Sequence, residues 1–122
     1  MTDYSKMSDQ QINEAVLEAL YGGGPEYRAT DDGKLIILRH VNTVEFGEHV
    51  ERTEDAGEFN PCNSWADAGP IIEKNRISIE FDGDDTAQWC HTISCEGLYG
   101  IEYQSNPLRA AMITFLLMQE KP

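Results

Sequence analysis

The stretch that most limits what this chain can fold into is Leu108 to Met118, LRAAMITFLLM, an apolar run broken only by Arg109 and Thr114. Asn106 ahead of it can cap orphan backbone N–H groups, and Pro107 suits a first helical position. Leu108, Ala111, Met112, Phe115 and Leu116 share one face at helical spacing. Ile113, Leu117 and Met118 carry the apolar surface well past that face. A helix of this kind needs cover on most sides. It has about half the length needed to span a bilayer. The spacing predicts a core helix against which the rest of the chain packs.

The other elements follow from local signals. Ser8 reads as an N-cap, with Gln11 completing a capping box. Ile12, Ala15, Val16, Ala19 and Leu20 then make an amphipathic helix over Asp9–Leu20, stopped by Gly22-Gly23-Gly24-Pro25. Asp32-Gly33 sets a hairpin across Glu26 to Leu38, and Val41 to Phe46 reads as a further short strand. Gly47 to Glu58 is acidic and without periodicity, so it reads as a surface loop. Phe59 to Ser64 is a compact turn. Ser64 caps a second helix with Asp67 as its N3 acid, and Pro70 predicts a kink, or a short first turn before a second piece, ahead of an end near Asn75. Arg76 to Phe81, Ala87 to Ile93 and Leu98 to Tyr103 read as three strands. The order predicts an α+β fold: an antiparallel sheet packed with about three helices in a layered, sandwich-like single domain over residues 1–122.

Charge narrows the function. The 122 residues include 22 acidic and 9 basic ones, for a formal net charge of −13. Such a surface repels nucleic-acid backbones and anionic lipid, so neither is expected as a direct partner. It suits the basic grooves of proteins that handle nucleic acid, and it also simply keeps a protein in solution. Three cysteines, Cys62, Cys90 and Cys95, and an N-terminus without a signal peptide point to free thiols in a reducing cytoplasm.

The residues offer little catalytic chemistry. Trp89-Cys90-His91 with Cys95 lacks paired metal-ligand spacing, and neighbours on a strand point to opposite faces, so no metal is assigned. Gly22-Gly23-Gly24 lacks the Lys and Ser/Thr of a phosphate loop. Cys62 with His40, His49 or His91 is the one nucleophile–base combination available, but free cysteines are commonly buried. No catalytic residue and no cofactor is assigned. Arg109 is more informative, because a cation in a helix first turn opposes the dipole. Either an ion pair, for instance with Asp67, or an anion held by Arg109 and free N–H groups would offset that cost. Asn60, Asn63 and Asn106 suit turns and caps. They become a candidate ligand or partner site if they converge with Arg109, Asp67 and Trp65.

Three segments carry a family likeness. Asp3–Leu20 (DYSKMSDQQINEAVLEAL), Phe59–Ile79 (FNPCNSWADAGPIIEKNRISI) and Asn106–Gln119 (NPLRAAMITFLLMQ) resemble the NinX-like family of bacteriophage and prophage proteins. The Asn-Pro-Leu-Arg-Ala-Ala-Met block is the most specific piece. Family members usually carry a tryptophan directly before the middle proline; here Gly69 stands there and Trp65 lies earlier. The element order is also similar to a small phage α-β-α sandwich domain. The likeness implies a phage origin and a life in the host cytoplasm, and brings no catalytic residues. The resulting expectation is a non-enzymatic accessory protein that binds a host or phage protein, as an inhibitor or acidic mimic. The alternative is a small-molecule binder that sequesters a nucleotide signal at Arg109. A homodimer covering the final helix is compatible with either.

Overall fold

A computed structural model describes residues 2–120. A 3-10 turn, Tyr4–Lys6, leads into α1 (Asp9–Tyr21), followed by β1 (Tyr27–Ala29), β2 (Leu35–Glu45) and β3 (Glu48–Phe59). Then come α2 (Trp65–Lys74), β4 (Ile77–Gly83), β5 (Gln88–Ser94), β6 (Gly100–Gln104) and α3 (Pro107–Gln119). The fold is α+β, with helices and antiparallel strands as expected, but the strands sort into two three-stranded sheets, β1-β2-β3 and β4-β5-β6.

The final helix is the centre of the core. Every residue of α3 from Ala110 to Leu116 is buried, as is Leu108. One side of α3 meets α1 and α2, and another meets β4, β5 and β6. Ile12, Val16, Ala68, Ile71 and Ile77 fill the space around Met112 and Leu116. Thr114 is as buried as its neighbours because it has a partner: its hydroxyl lies 2.7 Å from that of Thr92, which also donates to the Ala110 carbonyl at 2.9 Å. Paired in this way, two hydroxyls sit inside an apolar layer without a large desolvation penalty.

Local signals set the helix ends. Ser8 and Gln11 form the reciprocal capping box of α1, and Gly22 closes it at φ 55. Ser64 caps α2, which runs through Pro70 without interruption. The proline takes away the one N–H that would reach the Ala66 carbonyl, and burial of Ala68 and Ile71 against the core holds the turn regardless.

The segment Gly47 to Glu58 is not a loop. It is β3, paired with β2 from Leu35↔Phe59 out to Glu45↔Glu48. Val41 to Glu45 is the far half of the same β2 and not a separate strand. The signal was hidden because most side chains of this hairpin face solvent on both sides, so no apolar alternation is needed. Only its base enters the core, through Leu35 and Ile36.

Candidate functional site

The three helix N-termini meet around the turn Asn60–Ser64. Each brings a row of unpaired backbone N–H groups and the positive end of a dipole. The sequence answers with acceptors. Asn106 Oδ1 accepts from the N–H groups of Leu108 and Arg109 at 3.0 and 3.2 Å. Ser64 Oγ accepts from the Asp67 N–H, and Ser8 caps α1.

These caps are tied to one another. Asn106 Nδ2 donates to the Cys62 carbonyl at 2.8 Å. Asn63 Nδ2 donates to Asp9 Oδ2 at 3.0 Å and to Asn60 Oδ1 at 3.3 Å. The Asn60 N–H donates to Asp67 Oδ2 at 2.8 Å. At the centre is Asn13, fully buried. Its Nδ2 donates to the Gly33 carbonyl and to Asn60 Oδ1, and its Oδ1 accepts from the Cys62 N–H at 3.1 Å. Asn13 thus fastens α1 to the β1–β2 hairpin and to the turn before α2.

Arg109 joins the same network. Its guanidinium donates to Asp9 Oδ1 at 2.8 Å and, through its other terminal nitrogen, to the carbonyls of Met7, Ser5 and Tyr4. The arginine side chain is 17% exposed and Asp9 34%. The ion partner is therefore Asp9 and not Asp67, whose carboxylate is used by the Asn60 N–H. Asp9 sits at the first position of α1, so one carboxylate serves that helix dipole and also offsets the arginine in the first turn of α3.

Of the residues singled out by sequence, Arg109, Asn106, Asn60, Asn63 and Asp67 do converge. Trp65 does not: it is 57% exposed and turned to solvent. Sequence reasoning missed Asn13 and the second role of Asp9. Asn13 had a signal, because with Val16, Leu17 and Leu20 it falls on the apolar stripe of α1 at helical spacing. A polar residue on such a stripe needs buried partners.

Cys62 lies beside this network as a buried thiol. Burial first, then the Asp9 carboxylate, pushes its pKa up to about 12, while Arg109 pulls the other way. Among the described residues, no histidine hydrogen-bonds to it: His40 pairs with Glu26, and His91 contacts Tyr103 and Asp82. Cys90 is buried too, and burial raises its pKa, whereas Cys95 is exposed. A thiol reagent at neutral pH is expected to modify Cys95 quickly and the other two only as the protein unfolds. Rapid native-state modification of Cys62 would contradict its burial. The sign of its linkage is also fixed. The native thiol keeps its proton where the unfolded one, near 9.0, loses it, so its contribution to stability is intact below about pH 9 and fades towards about pH 12.

Among the described residues, no helix is long and apolar enough to cross a membrane. No curated protein and no solved structure matches the chain. The family model described as "Bacteriophage P22, NinX" matches residues 3–119. That span includes all three helices, both sheets and the whole Asn13–Arg109 network, and on it the chain belongs to the bacteriophage P22 NinX family.

Proposed function

We propose that this chain is a non-enzymatic phage accessory protein that acts by binding a host or phage protein. The observation that carries this reading is the tip of the β2–β3 hairpin. β1 pairs with β2 only from Leu35 to Ile37, so the hairpin beyond is a two-stranded arm with both edges open. At its end Phe46 is 105% exposed, at φ 52, and is followed by Gly47 at φ 81. Two positive φ values in a two-residue turn favour Asn-Gly, and a phenylalanine there costs about 1 kcal/mol or more. Nothing in this fold is gained from it. Burial in a partner would gain about 2 kcal/mol. Arg52 pairs with Glu45 and Glu54, while Glu48 and Glu51 have no basic partner among the described residues. An apolar tip with an acidic collar suits an apolar pocket with a basic rim.

The test is Phe46→Asn. Capture from phage-infected host lysate is expected to retain a salt-sensitive partner with the parent chain and to lose it with the variant. The variant itself should melt a few degrees higher, since Asn-Gly fits the turn. Equal capture by both proteins, or no specific partner at all, would remove the hairpin tip as the binding element. The alternative, a nucleotide-sequestering site at Arg109, requires the anion to displace Asp9 from a guanidinium that already serves it.

A further inference from the structure

The β4-β5-β6 sheet gives one face to α3 and leaves the other uncovered by any described element. Cys90, Thr92 and Ser94 of β5 are buried towards α3. On the open face, Trp89 and His91 stand opposite Asp82 and Glu80 of β4. Tyr103 meets the His91 ring edge-on, with centroids 5.0 Å apart, and lies 6.0 Å from Trp89. Ile93 is 45% exposed and Leu98, on the loop after β5, 71%. Between them is a cleft of about 680 Å³, flanked by Glu80 and Glu102, a volume in the range of ligand-holding clefts.

The charge of this sheet is one-sided. From Ile77 to Leu108 the chain carries Glu80, Asp82, Asp84, Asp85, Glu96 and Glu102 and not one Lys or Arg. Among the described residues, the only ion-pair contact of these carboxylates is Asp82 with His91, at 3.7 Å. The hairpin differs, since it carries Arg39 and Arg52, each paired with an acid. A cleft of mixed lining that exposes Ile93 and Leu98 and carries unpaired carboxylates at its rim selects against anions. It also selects against a second copy of this chain, which would bring the same acids to the same face.

We propose that this face docks an arginine-bearing cationic segment of a partner protein. The aliphatic stems would lie on Ile93 and Leu98, the guanidinium groups would meet Glu80 and Glu102, and Tyr103 offers a ring face for stacking. The proposal rests on the reading of this protein as a protein binder and places a contact apart from the hairpin tip.

The experiment uses the full chain with Trp65→Phe, which leaves Trp89 as the single tryptophan. An oligo-arginine peptide serves as probe, followed by Trp89 emission. A saturable change that weakens with added salt is expected. Glu80→Gln with Glu102→Gln should lower the affinity roughly tenfold. Asp31→Asn with Glu73→Gln, two exposed acids outside this face and outside the hairpin tip, removes the same charge and should leave the affinity unchanged.

No emission change at peptide concentrations on the order of 1 mM would overturn the proposal. So would an equal loss in the Asp31 and Glu73 control, which would mean attraction to net charge alone. Spermidine binding as tightly as the peptide, or peptide-independent dimerisation through this face, would overturn it too. Failure here with Phe46-dependent capture intact removes this surface and leaves the hairpin reading standing. Peptide binding with no Phe46-dependent capture does the reverse.

Discussion

Asn13→Ala is expected to lower the stability of the protein by about 3 kcal/mol, among the largest losses from any single polar truncation in this chain. The side chain is fully buried and makes hydrogen bonds to the Gly33 carbonyl, Asn60 Oδ1 and the Cys62 N–H. Removing it leaves the buried Gly33 carbonyl and Cys62 N–H without partners, and Asn60 Oδ1 with only the Asn63 amide. The loss should appear as a lower urea midpoint at unchanged slope, and as a melting temperature lower by about 10 °C. Asn13→Asp sharpens the test. It keeps an acceptor for the Cys62 N–H but turns a second oxygen towards two oxygens that now receive a donor. At neutral pH it should therefore be no better tolerated than alanine. A loss below about 1 kcal/mol in both variants would mean that the network is decoration on a fold held by α3 alone.

The same network marks where the sequence could and could not be read. Helix starts were legible because caps act over a few residues: Ser8 with Gln11, Ser64 with Asp67, and Asn106 with Pro107 all sit where local chemistry places them. The burial of α3 was legible because its apolar residues exceed one face. The partner of Arg109 was not, since Asp9 lies a hundred residues away in the chain and only packing of α1 on α3 brings it near. Strand β3 was illegible for another reason. Its inter-strand bonds satisfy the backbone while its side chains remain in water, so acids and Arg52 stand where a half-buried strand would alternate. The sequence Glu45-Phe46-Gly47-Glu48 did contain a clue. A glycine preceded by one residue, between two stretches able to pair, is the place for a two-residue turn. Phenylalanine in the first turn position masked it.

Arg109→Ala is expected to cost about 2 kcal/mol, and the sign of that change separates two accounts of the residue. In the structure the guanidinium neutralises Asp9 and collects carbonyls of the segment before α1. Truncation leaves a carboxylate that is only 34% exposed without its cation, held by the Asn63 amide alone, and releases Tyr4–Lys6 from the start of α3. The partial exposure of Asp9 keeps the loss below that of a fully buried pair. A double-mutant cycle with Asp9→Asn should return a coupling of about 1 kcal/mol. Arg109→Lys should recover only part of the loss, because one ammonium cannot serve the carboxylate and the carbonyls together.

A residue held for an external anion would behave otherwise. Without its ligand, a cation in the first turn of α3 faces the positive end of the dipole, and its removal would leave stability unchanged or raise it. Arg109→Ala would then abolish the melting shift produced by a nucleotide while sparing the ligand-free fold. Thermal melts of the parent and the variant, each with and without a saturating nucleotide, decide between these accounts. A stable variant that has lost a nucleotide shift returns Arg109 to ligand binding. A destabilised variant, with no shift in the parent, leaves it as the clasp between the N-terminal segment, α1 and α3.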